Sequence, residues 1–193
     1  MNIAERIKGI LFKPNEEWQV IAGETTPIAE LYRNYIVLLA AIGPVASFIA
    51  MSIVGVSLPM GGAYRASIGT GLMHAIVRYV LTLVGVYVLA FIIDALAPTF
   101  SGEKNIDQAF KLAAYSYTPG WLVGIFALTP ALGFLGILGL YGIYLLYVGL
   151  PVLMKSPHEK STGYTIAIII AAIVIFIVIG VISRVFMPGM GRM

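Results

Sequence analysis

His74 and His158 are the only imidazoles in a chain that has no cysteine. They fall in different predicted loops near opposite faces. No paired-histidine zinc motif or phosphate-cradling glycine loop accompanies them. The missing cysteines exclude disulfides, thiolate metal sites and a cysteine nucleophile. A serine–histidine intramembrane protease needs both groups at one depth, and no serine-containing nucleophile elbow occurs. Glu16-Glu17 offers two carboxylates, but adjacent helical residues point apart, so the pair reads as solvated charge at a helix start. No catalytic, metal-binding or cofactor-binding residue is expected, and no cofactor.

The remaining polar candidates lie within apolar sequence. Arg78 and Asp94 share one predicted span, and intramembrane charges mark ion paths by default. They are 16 residues apart, about 24 Å of helix, so Arg78 can snorkel to one face while Asp94 reaches the other just before Pro98. Asn105 with Gln108 looks like a helix start and Asp107–Lys111 like an i, i+4 pair. Lys104 or Lys111 is therefore expected to meet Asp94 at the surface. Pro44 and Pro119 sit mid-span, where proline frees the carbonyls of Ala40 and Tyr115, and Ser116, Tyr117 and Thr118 supply hydroxyls nearby. Broken helices also build transport sites, so Asp94 with Tyr117-Thr118-Pro119 supports an alternative reading as a small transporter or channel.

Glycine gives the strongest pattern. Gly133, Gly136, Gly139 and Gly142 recur every third residue, and Gly120 and Gly124 form a GxxxG pair. Small residues let helix backbones approach where lipid supplies no hydrophobic drive. Tyr141, Tyr144 and Tyr147 repeat the same step. On an α-helix three residues turn 300°, so Gly133 and Gly142 face opposite sides. The fourth helix is therefore expected to touch several neighbours, first the third helix at Gly120 or Gly124. Leucine at Gly136 or Gly139 is expected to overpack such a contact.

These residues need elements that cross a bilayer. The 193-residue chain is 60% hydrophobic and 11% charged, with mean hydropathy +0.95, where soluble domains carry about 25% charged residues. Five apolar stretches qualify, at about 35–56, 75–97, 109–128, 132–154 and 164–186. The 43 uncharged residues between Lys111 and Lys155 would make about 65 Å of helix, roughly twice a 30 Å core, so the chain must turn back at Thr129-Pro130. Residues 1–34 form an amphipathic arm, with Ile3, Ile7, Ile10 and Leu11 on one helical face and Trp18 as interfacial anchor. The arm either lies on the membrane or packs on the protein. Residues 188–193 are a short tail. With the N-terminus inside, eight Lys and Arg lie on the cytoplasmic side against four outside, which orients the chain N-in and C-out. The net charge of +3 needs no nucleic-acid partner.

Three blocks resemble a known family. They are Pro14-Asn15-Glu16-Glu17-Trp18-Gln19-Val20-Ile21, Tyr117-Thr118-Pro119, and Tyr144-Leu145-Leu146-Tyr147-Val148-Gly149-Leu150-Pro151. In order and spacing they are similar to the bacterial branch of the Yip family (Ypt/Rab-interacting proteins). The resemblance implies five transmembrane helices, a cytoplasmic N-terminus and the bacterial inner membrane. Eukaryotic relatives bind Rab GTPases, but Glu30-Leu31-Tyr32-Arg33-Asn34 keeps only the Leu-Tyr core of their Asp-Leu-Tyr-Gly-Pro pattern, and Rab binding is not carried over. The expectation is an all-α polytopic membrane bundle with an amphipathic N-terminal arm. Its role is non-enzymatic, organising membrane or partner proteins, with lipids, other membrane proteins or further copies as partners.

Overall fold

A cap and a proline start the first two helices. The computed structural model describes residues 2–57 and 63–186; the tail expected at 188–193 lies outside them. Helix α1 (Ile3–Phe12) begins where the Asn2 side chain accepts from the Ala4 amide at 3.0 Å. Helix α2 (Pro14–Gly23) begins on proline, whose missing N–H would be unpaired in any first turn. The first crossing, α3 (Ile28–Val54), starts earlier than the expected Tyr35. Its opening turns carry Glu30, Arg33 and Asn34, all exposed, and their polarity hides the helix from hydropathy. A two-residue antiparallel ladder follows, β1 (Val56–Ser57) and β2 (Ala63–Tyr64), with Val56 opposite Tyr64. Helix α4 (Ile68–Leu96) is capped by the Ser67 hydroxyl, which accepts from the Thr70 amide at 3.2 Å, and runs into a 3₁₀ turn over Ala97–Phe100.

The third crossing is built in pieces: α5 (Ile106–Ser116), α6 (Thr118–Val123) and a 3₁₀ stretch, Gly124–Leu128. The fourth joins a long 3₁₀ segment, Pro130–Leu140, to α7 (Tyr141–Leu153), and α8 (His158–Phe186) is the fifth. Among the described residues four segments are apolar and long enough to cross a membrane: Ile28–Val54, Ile68–Phe100, Ala131–Leu153 and His158–Ile175. The third crossing, in pieces on either side of Tyr117, is not among them. The architecture is an all-α, multi-pass bundle.

Both prolines expected inside continuous helices sit instead where a helix restarts. Pro44 lies in the first turn after a break at Ala41, and Pro119 in the first turn of α6. The missing N–H is one that the first turn leaves unpaired anyway. The nearby hydroxyls have other surroundings than expected. Thr118 bonds to Tyr35, and Ser116 Oγ has no partner among the described residues.

Burial divides the bundle along its axis. The close-packed core draws on α1, α2, the start of α3, the end of α4, α5, α7 and the start of α8. Large apolar side chains point outward along the remainder: from Leu38 to Val54, Ile68 to Phe91, Leu132 to Tyr147 and Ile166 to Val178. On α4 that outward stretch runs about 35 Å at 1.5 Å per residue, enough for a hydrocarbon core of about 30 Å.

The 3₁₀ segment changes the meaning of the glycine ladder. At three residues per turn, Gly133, Gly136 and Gly139 fall in one row rather than rotating around the helix. Side chains at i and i+3 eclipse in this geometry, and a row of glycines eclipses without crowding. A Cβ at Gly139 would stand 3.5 Å from Gly120 Cα, the expected contact with the third crossing, but at Gly133 and Gly136 nothing lies within 4 Å. The expected overpacking at Gly136 therefore has no neighbour to act on, and at Gly139 it meets ordinary contact distance. The close approaches are elsewhere. A Cβ at Gly142 would collide with the Ser116 carbonyl, one at Gly124 would stand 2.9 Å from Gly43 Cα, and one at Gly149 would stand 2.8 Å from the Trp18 ring. Gly142→Ala should thus destabilise by about 1–3 kcal/mol in detergent melting, while Gly136→Ala should melt with the unmodified chain. The reverse order would remove the contact assignment.

Candidate functional site

The two helices of the arm are packed into the closely packed end of the bundle, and charge determines how. Arg6 lies on the same face of α1 as Ile3 and Ile10, at i+3 and i−4, so burying the apolar stripe buries the guanidinium too. It is 4% exposed. Its two terminal nitrogens donate to Glu17 of α2 and to Glu24 just beyond it, and its Cζ sits 5.5 Å over the Tyr115 ring. An arginine fork suits such paired carboxylates. Lys111 of α5, 3% exposed, donates from Nζ to the carbonyls of Ile21, at 3.2 Å, and Glu24. Gln108 Nε2 donates to the Ala22 carbonyl at 3.0 Å. Together they cap the C-terminal end of α2, where unpaired carbonyls and the helix dipole favour a cation.

Beneath this cluster the three sequence blocks converge. Trp18 is fully buried, edge-on to Tyr115 with ring centroids 6.3 Å apart, and takes the space that Gly149 leaves open. Tyr35 meets Tyr115 edge-on at 4.9 Å and shares a 2.8 Å hydrogen bond with Thr118. Farther along, the Tyr141 hydroxyl donates to the Leu11 carbonyl at 2.9 Å. Between arm and first crossing lies a cavity of about 670 Å³, lined by Arg6, Glu17, Glu24, Glu30 and Asn34 among others. It is polar and suited to water. No group of three or more His, Cys, Asp or Glu able to hold a metal occurs among the described residues.

Several expectations change here. Trp18 is no interfacial anchor: Gly149 and Leu112 leave a slot that takes its ring inside the protein. The arm packs on the protein. Asp94 meets neither expected lysine, because α2's carbonyls hold Lys111 and Lys104 is exposed. Asp94 is half-buried with Oδ1 unpartnered among the described residues. Tyr117 stacks on Trp121 at 5.8 Å and lines a small crevice with Gly120, Gly139 and Gly142. Tyr144 and Tyr147 point outward. Sequence reasoning missed Arg6, Glu17, Glu24 and Lys111 as a set. The legible signal was a cation on the apolar face of an amphipathic helix. Arg6→Met keeps the stem but strands two carboxylates. Because both retain some access to water, thermal melting should show a loss of about 1–3 kcal/mol. Adding Glu17→Gln and Glu24→Gln should recover most of it, and an Arg6→Met chain that melts unchanged would show that the ion pairs do not hold the arm.

Inner membrane protein YohC of Escherichia coli strain K12 is 31% identical over 122 residues, 63% of each chain, and the same protein of Escherichia coli O6:H1 matches equally. The match thus spans 63% of those relatives' length. No solved structure matches. The Yip1 domain matches residues 8–179, which takes in the arm from within α1, the first four crossings, most of the fifth and all three blocks. The chain belongs to the Yip1 domain family.

Proposed function

We propose that this chain is a non-enzymatic scaffold of the bacterial inner membrane, organising lipids, other membrane proteins or further copies of itself. One observation carries the reading: the buried charges are engaged in holding the arm, Arg6 joining α1 to α2 and lying over Tyr115, and Lys111 tying the end of α2 to the bundle. A docked arm presents a fixed surface at one end of the membrane domain, with Phe12 and Val20 exposed on it. YohC is described as an inner membrane protein, which supports the same location. The transport alternative has no comparable support. Asp94 and Thr118 have separate surroundings, and the crevice that Tyr117 lines is lined by neither.

The charge bias supports a cytoplasmic N-terminus and an outer C-terminus. Reporter fusions after Lys160 and after Met193 should accordingly report opposite sides of the membrane. Both on one side would remove either the fifth crossing or the orientation. For the scaffold role, Arg6→Met and Trp18→Ala should change what co-purifies from native membranes, while Ile175→Ala on the bundle should not. An unchanged set in both arm variants, identified by mass spectrometry, would sink the reading.

A further inference from the structure

The break at Tyr117 leaves two hydroxyls idle. Ser116 is 7% exposed, and its Oγ has no partner among the described residues. The Tyr117 hydroxyl makes no hydrogen bond there either, its ring being held by the stack on Trp121. Both residues line a crevice of about 150 Å³, room for a group the size of a benzene ring. Leu89 of α4, Gly142 and Leu146 of the fourth crossing and Ile168 of α8 form other walls, and no charged residue lines it. Gly120 and Ile143, both exposed, stand at its mouth. A narrower hollow shares Leu89 and Tyr117 and carries the space on between Gly85 of α4 and Ile175 of α8. Its depth follows from the outward tyrosines. Tyr87 on α4 and Tyr144 and Tyr147 on the fourth crossing are each about two-fifths exposed, and such tyrosines sit at headgroup level. Leu146 lies between the latter two, and Leu89 is two residues, about 3 Å, from Tyr87. Gly142, which abuts Ser116, is two residues, about 3 Å, inside Tyr144. The crevice therefore opens where headgroup meets chain, and from Ile168 to Ile175 it runs about 10 Å inward along α8.

We propose that this crevice binds one ester-linked acyl chain of a diacyl glycerophospholipid from the leaflet at the packed end, the ester carbonyl accepting from the Ser116 and Tyr117 hydroxyls. A carbonyl oxygen has two lone pairs and can accept from both. Ester carbonyls join chain to headgroup, so they lie at the boundary where the crevice opens. A hydroxyl among apolar side chains costs free energy until it is bonded, and an ester supplies the acceptor. The uncharged lining offers nothing to a phosphate or an amine, so the site reads the linkage and not the headgroup. The first methylenes fill the space beside Gly142, and the chain continues between α4 and α8. A helix of a second copy, about 10 Å across, does not enter a slot of this size. The proposal rests on the scaffold reading for its purpose and on the bundle alone for its chemistry.

The test uses the full chain purified in detergent, with a short-chain diacyl phosphatidylethanolamine and its ether-linked analogue, which lacks both carbonyls, as probes. Native mass spectrometry reads retention, and thermal melting reads the fold. The unmodified chain should retain the ester lipid about fivefold better than the ether, the worth of one neutral hydrogen bond. In the double variant Ser116→Ala, Tyr117→Phe that preference should vanish. Its melting without lipid should not fall, since an unbonded hydroxyl adds nothing to the fold. Phosphatidylglycerol in place of phosphatidylethanolamine should leave the preference unchanged. No ester preference in the unmodified chain, or the same preference in the double variant, would overturn the site. A double variant that melts lower without lipid would show the hydroxyls to be structural, and a preference that follows the headgroup would move recognition away from the crevice; either result overturns it too. None of these outcomes touches the arm, so the scaffold reading stands or falls separately on what co-purifies with the arm variants.

Discussion

The packed end of this protein depends on burying one guanidinium. Arg6 lies on the apolar stripe of α1, so the arm cannot dock without taking the charge along. Docking is therefore possible only where two carboxylates wait. Glu17 and Glu24 meet that need from the next helix and its C-terminal cap, which fixes α1 against α2 independently of the bundle. Lys111 and Gln108 then hold the end of α2. The residues at this junction are paired by geometry, and the aromatic ring of Tyr115 lies where α1, α2, α3 and α5 meet.

The rest of the molecule answers to a different solvent. Below the aromatic cluster the helices turn large apolar side chains outward, and close contact falls to glycines. Gly43 faces Gly124, and Gly142 abuts the carbonyl of Ser116. Where lipid is as apolar as leucine, backbone approach replaces hydrophobic drive as the source of association. The two regimes meet at the breaks around Ala41 and Tyr117, where the helices restart on proline-containing turns. A restart lets each crossing follow the packed end above and the looser bundle below.

Much of this was legible in the residues. The apolar runs, the turn at Thr129-Pro130 and the Asn105 helix cap could be read because each depends on local chemistry. Arg6 and Lys111 could not be paired on sequence, since Lys111 and Ile21 are 90 residues apart and only the packed bundle brings them together. Trp18 misled for a related reason. A tryptophan in an amphipathic arm suits a membrane surface, and only Gly149, far along the chain, reveals that a slot exists for it. The glycine ladder was placed on the right crossing but read with α-helical geometry. Its three-residue step is the period of the 3₁₀ geometry that the segment adopts, and that period was available in the spacing itself.

The bond between the Tyr141 hydroxyl and the Leu11 carbonyl joins residues 130 positions apart, and this sets an order of assembly. The arm leaves the ribosome well before the helix that receives it, since Tyr141 follows Leu11 by 130 residues. At synthesis rates of roughly 5–20 residues per second the arm waits on the order of ten seconds for its seat. During that interval Arg6, Glu17 and Glu24 have one another but not the bundle, and Trp18 has no slot. The arm is thus made well before the place it occupies in the packed bundle exists.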